Sequence, residues 1–252
     1  MDSRQTDILI CGGGLAGLIA AAVLGADGWQ VTVVDPGPKL PGGIDQRDQR
    51  STAFLQPAQA LFTEIGLWER LHPLAVPLAQ LRIVDTTGDP PTVRDERTFR
   101  ADEMSDDPFG WNFLNWQMRQ DLLAHLDAID TVTLRFGTGL RSLLTRTTGA
   151  IATLSDGTQL RAKLVIGADG RNSAVRDAAG IGVKTTRYGQ KALAFSVTHP
   201  VPHHNVSTEI YHQGGPFTMV PLADVDGSPA SAIVWMNQGR RALELAAMDE
   251  KA

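Results

Sequence analysis

Short apolar runs, broken by glycine and proline, set the rhythm of this sequence. Ile8-Leu9-Ile10 reads as a buried strand, and Val31 to Val34, ending in Asp35, as a second. Between them Leu15 to Ala26 is a run of small and apolar residues that predicts a helix. Pro36-Gly37-Pro38 and Pro41-Gly42-Gly43 then mark a loop, not a second strand–helix–strand unit. A helix is expected over roughly Pro57 to Ile65, stopped by Gly66, with a short turn restarting at Leu67-Trp68. From Leu78 to Arg100 the period changes to two. LAQLRIVDTT alternates, and TVRDERTFRA follows a Gly-Asp-Pro-Pro turn. Residues 102–110 are acidic and loop-like. Met118, Leu122, Leu123 and Leu126 recur at helical spacing, so Gln117 to Ile129 predicts an amphipathic helix, with Arg119 starting on another face.

Further on, short strands are expected at 132–136, 139–147 and 150–154, with a hairpin turn at Ser155-Asp156-Gly157-Thr158. TQLRAKL leads into an apolar strand through Val165-Ile166. Gly167-Ala168-Asp169-Gly170 follows, and then a helix from about Ser173 to Ala179, stopped by Gly180. A second strand–glycine–helix junction therefore returns to the first layer. From Lys191 to Trp235 the pattern is β throughout: ALAFSVTH, STEIYHQ, FTMVPLA and SAIVWM. A polar, helix-like tail begins at Arg240. Two layers thus interleave in sequence. Residues 1–77 and 102–182 read as a nucleotide-binding domain, 78–101 and 183–239 as a β-sheet domain, and 240–252 as the start of a further segment.

The stretch from Thr6 to Asp35 carries the first chemistry. Gly12, Gly14 and Gly17 satisfy G-x-G-x-x-G at the turn from strand to helix. Gly12 lets the chain turn sharply, Gly14 lets a pyrophosphate approach the backbone, and Gly17 lets the helix pack close to the sheet. The helix N-terminus, beginning at Leu15 and Ala16, offers free N–H groups and a partial positive charge to phosphates. Asp35 sits where a carboxylate takes adenosine ribose hydroxyls. This unit reads an ADP moiety and does not by itself separate FAD from NAD.

Composition narrows the field. The 252 residues suffice for one large or two modest domains, and 42% hydrophobic with 20% charged residues is ordinary globular composition. The net charge of −5 does not suit a general nucleic-acid binder. A single cysteine, Cys11, excludes an internal disulfide and any multi-cysteine metal site, and reads as a buried apolar filler. His203-His204 has no third ligand at useful spacing, so no metal site is expected. No signal pattern and no apolar run of the ~18 residues needed to span a bilayer is present, which makes a cytoplasmic chain the expectation.

Three marks together resemble a known family. The first unit extends through Ala21, Leu24, Gly28, Val31 and Val33 to Asp35, a spacing similar to FAD-binding flavoproteins. GADGRNSAVR, Gly167 to Arg176, resembles the G-A-D-G-x-x-S-x-x-R motif of the class A FAD-dependent aromatic hydroxylases. Arg119, in R-x-x-L-x-x-x-L, is similar to the arginine helix those enzymes place along the flavin. Asp48 to Ala53 (DQRSTA), Gly66-Leu67-Trp68, Tyr188-x-Gln190-x-Ala192 and Gly214 to Trp235 resemble the ubiquinone-biosynthesis hydroxylases within that group.

The resemblance implies an α/β fold: a Rossmann-like FAD-binding domain interleaved with an antiparallel β-sheet substrate domain. Family members run on through a second Gly-Asp motif that holds the ribityl chain. This chain stops at Ala252 without it, so a truncated chain is expected. The implied activity is FAD-dependent monooxygenation of a polyprenylated phenol, with NAD(P)H as co-substrate and O2, through a flavin C4a-hydroperoxide. Implied partners are the phenolic substrate, the surface of the inner membrane and other ubiquinone-biosynthesis proteins. On this reading Gly12, Gly14, Leu15, Ala16 and Gly17 take the pyrophosphate, and Asp35 the ribose. Arg50 and Arg119 supply charge-assisted hydrogen bonds. Asp169 and Gly170 lie at the flavin, with Asp169 acting through its backbone, a water or the nicotinamide partner. Arg176 pairs with Asp169 or another acidic neighbour. Phe195, Tyr211, Met219 and Trp235 line a substrate pocket or form plain core. No catalytic side chain is assigned. Three alternatives stay open: an inactive FAD-binding-like partner in a biosynthetic complex, a hydroxylase of another phenol, and an NAD-dependent dehydrogenase. The last rests on Thr6 to Asp35 alone, and GADGRNSAVR counts against it.

Overall fold

The computed structural model describes residues 3–40, 48–212 and 214–249, so the expected turn at Pro41-Gly42-Gly43 lies outside the described residues. In chain order, β1 (Ser3–Cys11) runs into α1 (Leu15–Ala26) and β2 (Val31–Asp35). Then come β3 (Ser51–Leu55), α2 (Gln56–Glu64), α3 (Trp68–Leu71) and β4 (Val76–Leu78). The hairpin β5 (Gln80–Thr87) and β6 (Thr92–Arg100) precedes β7 (Gly110–Leu114) and α4 (Asn115–Leu126). Strands β8 (Val132–Phe136), β9 (Leu140–Arg146), β10 (Gly149–Leu154) and β11 (Gln159–Gly167) lead to α5 (Ala174–Ala178). Finally β12 (Gln190–Thr198), β13 (Val206–His212), β14 (Gly215–Val225) and β15 (Ser228–Gln238) are followed by α6 (Gly239–Ala246).

Two compact units form. The first gathers Met1–Arg47, Ile65–Leu67 and Met118–Lys184, and the second Asp48–Glu64, Trp68–Gln117 and Thr185–Ala252. The first unit is built on a six-stranded sheet in the order β8-β2-β1-β11-β10-β9. Its β8, β2, β1 and β11 run parallel, while β10 and β9 return antiparallel. Parallel strands are covered on both faces, which is why Leu9 and Ile10, neighbours pointing opposite ways, are both fully buried. In register, Cys11 of β1 lies beside Val34 of β2 and Gly167 of β11. The carboxyl ends of three parallel strands are therefore level, the place where α/β sheets bind ligands. Helix α1 buries Gly17, Leu18, Ala21, Ala22 and Gly25. Its small residues bring it close to the sheet: a Cβ on Gly25 would lie 2.4 Å from a methyl of Val132. Helix α4 buries the expected Met118, Leu122, Leu123 and Leu126.

The second unit holds a six-stranded sheet, β12-β15-β14-β13-β5-β6, and a three-stranded one, β3-β7-β4. The larger sheet is antiparallel except for the parallel β13–β5 pair. The small sheet has no counterpart in the sequence reading, because β3, β7 and β4 are brief and pair only across long separations. It also moves the boundary. Residues 48–64, 68–77 and 102–117, read from the sequence as nucleotide domain, cluster with the β-sheet unit instead. Asn112 of β7 shows why. Its buried amide donates to the Pro221 carbonyl of β14 at 2.9 Å, and Leu114 packs on the Leu222, Ala230 and Ala232 cluster. A β7 that covers this sheet belongs to it.

Register also decides the aromatic residues. Trp235 pairs with Leu193 and Phe217, and Ile233 with Phe195 and Met219, so Phe195, Met219 and Trp235 share one face. Tyr211 neighbours Ile210, the partner of Phe217, and so points to the opposite face, where its hydroxyl donates to Glu209 at 3.1 Å. The four residues grouped from the sequence cannot line one pocket.

Candidate functional site

The turn after β1 is shaped by what its glycines exclude. Gly12 has φ +118°, and a Cβ there would lie 2.2 Å from the Ala168 carbonyl oxygen. A Cβ on Gly17 would lie 1.9 Å from the Gly12 carbonyl oxygen. Both positions are closed by backbone, so both glycines serve packing. Gly14 is the opposite case: a Cβ there meets nothing within 4 Å. It is exposed, extended and the N-cap of α1, with no side chain to cap the helix. The first-turn N–H groups, including those of half-buried Leu15 and exposed Ala16, lack intrahelical partners by helix geometry. An open slot thus faces an uncapped helix end, a combination suited to an anionic group.

Asp35 closes the other side of the turn. One carboxylate oxygen accepts the Gly13 N–H at 2.6 Å and the other the Gly37 N–H at 2.7 Å. A carboxylate has about four lone-pair positions, so about half its accepting capacity remains. Arg119 of α4 donates from Nε to the Gly13 carbonyl at 3.0 Å, and also to the Lys39 and Pro38 carbonyls. Its guanidinium lies over the Phe136 ring, 5.2 Å from the centroid. Burial pulls the Arg119 pKa below its ordinary value while Asp35 partly offsets this, and arginine stays charged throughout. Gly13, Asp35 and Arg119 are thereby wired together.

The second junction is built differently. The Asp169 carboxylate accepts from the Ser173 hydroxyl and from the Val175 N–H at 3.1 Å, while Ser173 Oγ accepts the Arg176 N–H at 3.0 Å. Both oxygens of Asp169 are engaged in capping α5. Burial alone would raise the Asp169 carboxyl, but the hydrogen bonds from Ser173, Val175 and neighbouring amides outweigh it and hold the carboxyl below its ordinary value. Gly170 follows in the same loop. Arg176 pairs with Asp177 at 3.1 Å and donates to the Arg171 carbonyl at 2.9 Å, so its acidic neighbour is Asp177 and not Asp169. Between the junctions, Cys11 is buried and its thiol is pushed up to about 12, chiefly by burial and further by Asp169. Such a thiol carries no nucleophilic chemistry.

Arg50 is the remaining candidate. It belongs to the second unit and forms a bidentate pair with Asp48, both contacts 2.7 Å, and Asp48 also accepts from Asn115 at 3.0 Å. Burial works to raise the Asp48 carboxyl, and the Arg50 and Asn115 hydrogen bonds more than reverse it. His203, singled out in sequence, uses both ring nitrogens: Nδ1 accepts the Asn205 N–H, and Nε2 meets the Leu222 carbonyl at 3.1 Å.

Gly12, Gly14, Leu15, Ala16, Gly17, Asp35, Arg119, Asp169 and Gly170 all fall in the first unit. Sequence reasoning missed Gly13, Gly37, Ala168, Ser173 and Phe136. Phe136 was findable: it ends a strand predicted correctly, and register sets it beside Asp35.

Residues 5–246 match the family described as FAD binding domain, and the chain belongs to that family. It is similar to ubiquinone hydroxylase UbiL of Rhodospirillum rubrum, 36% identical over 235 residues, which are 92% of this chain and 52% of that protein. It is also similar to 3-demethoxyubiquinol 3-hydroxylase of Escherichia coli, 31% identical over 255 residues, covering 99% of this chain and 62% of that one. These relatives bear out the resemblance to ubiquinone-biosynthesis hydroxylases, and the chain spans between half and two thirds of their length. Among solved structures, a mutant of PqsL from Pseudomonas aeruginosa shares the fold with a TM-score of 0.79 at 22% identity, covering 97% of this chain and 64% of that one. p-Nitrophenol 4-monooxygenase PnpA from Pseudomonas putida does so at 0.76 and 18%, covering 100% of this chain and 60% of that one.

Proposed function

We propose that this chain is the FAD-binding and substrate-sheet part of a monooxygenase that hydroxylates a polyprenylated phenol in ubiquinone biosynthesis, using NAD(P)H and O2. The observation that carries this reading is the open slot at Gly14 before the uncapped N-terminus of α1, within a chain of the FAD-binding family. The residues fit the cofactor. Gly12 and Gly17 keep the turn tight, and Gly14, Leu15 and Ala16 offer space and N–H groups to the pyrophosphate. Asp35 has accepting capacity left for ribose hydroxyls. Arg119 adds a fixed positive charge beside the turn. Asp169, its carboxylate committed to α5, acts with Gly170 through the backbone. Arg50, which the resemblance also assigns to the cofactor, is held by Asp48 within the second unit.

When bound, FAD supplies the redox and oxygen chemistry. The protein's part is to bind, orient and exclude water, and no side chain here is assigned a proton transfer. A polyprenylated substrate implies work at a membrane surface. Among the described residues no helix is long and apolar enough to cross one.

Titration of the chain with ADP and with FAD, followed by calorimetry, tests the reading. Competitive binding of both is expected, with Gly14→Val and Asp35→Ala each weakening both at least tenfold. Binding of neither ligand, or equal binding by both variants, overturns it. Incorporation of labelled oxygen into a polyprenylated phenol, with NADH supplied, then tests the reaction.

A further inference from the structure

The larger sheet of the second unit ends at β6, whose nine positions are all exposed. Charge explains most of that strand and its surroundings. Arg94 pairs with Asp85, Glu96 with Arg82 at 2.8 Å, and Arg100 with Asp102 at 2.6 Å. Such an edge resists strand addition. Phe99 breaks the pattern. It is 52% exposed and lies in register with Leu81 of β5, which lies in register with Ser207 of β13.

This row forms one wall of a cavity of about 470 Å³ lying wholly within the second unit. Leu55, Met104 and Phe109 add to its lining. Leu55 and Met104 are 59% and 82% exposed, so three large apolar side chains converge on one spot of a charged surface. The cavity has the size of a ligand site, with lining that is almost entirely apolar. Its polar members are Gln80, Arg100, Glu103 and Ser207, of which Arg100 is paired with Asp102 and Ser207 donates to the Met219 carbonyl at 3.4 Å. The exposed surface of the lining is nonetheless mostly apolar, which favours an apolar ligand over a phenol or an acid. An apolar chain alone gains from entering, because burial then removes both its own surface and these exposed side chains from water.

We propose that this cavity binds an isoprenoid chain, the tail of the polyprenylated phenol. The assignment of that tail to the substrate rests on the proposed function, since ubiquinone and its precursors carry such a chain on the ring. Binding of the chain itself needs no cofactor and can be measured apart from it.

The test is calorimetric titration of the 252-residue protein with farnesol, an isoprenoid alcohol lacking the ring, and with the unbranched dodecanol. Saturable binding of one farnesol is expected, at least tenfold tighter than dodecanol. The double variant Phe99→Gln/Met104→Gln should weaken farnesol at least tenfold while leaving the melting temperature and FAD affinity unchanged. If the double variant melts early, Met104→Gln alone, at a highly exposed position, carries the test with an expected threefold or greater loss. No saturable farnesol binding, equal binding of dodecanol, or binding unchanged in the variants overturns the proposal. A concentration-dependent dimer abolished by the double variant, without farnesol uptake, overturns it in favour of a protein interface. Loss of FAD binding with farnesol binding intact would instead sink the proposed function and leave the isoprenoid site standing.

Discussion

The chain passes from strand through glycines into a helix twice, side by side, and finishes the two passages in opposite ways. At the first, β1 enters α1 through Gly12 to Gly14, and no side chain caps the helix. At the second, β11 enters α5 through Gly167 to Gly170, and Ser173 and Asp169 cap it fully. The two loops are in contact, with the Ala168 N–H donating to the Cys11 carbonyl at 2.7 Å. The same supersecondary plan therefore gives one helix end left without a side-chain cap and one closed by a carboxylate. A helix N-terminus without a side-chain cap keeps more of its free N–H groups for a ligand.

The sharpest way to break this contrast is to put side chains on the first junction. Gly17→Val drives a Cβ into the Gly12 carbonyl and should cost about 3 kcal/mol or more, read in denaturant melts. Gly14→Val, three residues earlier, should cost under ~1 kcal/mol because its space is empty, yet abolish tight ADP and FAD binding. Equal destabilisation by both would refute the distinction between packing and binding glycines.

Arg119 comes next. Arg119→Ala removes charged hydrogen bonds to the Gly13 turn and should cost about 2 kcal/mol, with ADP affinity falling as well. Arg119→Lys cannot reproduce the fork over Phe136 and should recover less than half of either loss.

At the closed junction the effect is smaller and depends on pH. Asp169→Asn weakens the cap by about 1 kcal/mol near neutrality. Its carboxyl is held below the ordinary 3.8, so its stabilisation is complete well above pH 3.8 and is lost as pH falls below that through the folded-state value. The variant should lack this part of the acid slope while still binding FAD, given that Asp169 acts through its backbone. Loss of FAD binding without loss of stability would show instead that the carboxylate itself meets the cofactor.

The smallest change is expected at Cys11, between the two junctions. Its buried thiol, pushed up to about 12, should stay unmodified by a thiol reagent at pH 8 until denaturant is added. Rapid labelling of the native protein would mean that the strand ends open on their own.

How much of this was legible beforehand depended on the range of the interactions. Helix α1 and strands β2 and β8 fall where periodicity set them, because local spacing and capping glycines define them. Sheet β3-β7-β4 was invisible, since five residues such as Gly110–Leu114 become a strand only through partners far off in sequence. The site followed the same division. Gly12, Gly14, Gly17 and Asp35 announce themselves by spacing, and the family motifs add Arg119 and Asp169.

Sequence alone determined that a glycine-rich turn from strand to helix exists here and which glycines build it, because backbone conformation and missing side chains are local properties. Only the tertiary structure decided which glycine leaves space and which are packed shut, since that depends on where Ala168 comes to rest. It also decided that Asp169 faces its own helix, that Tyr211 turns away from Trp235, and that Phe99 opens onto a cavity. Those outcomes follow from strand register and loop contact, which no single stretch of chain encodes by itself.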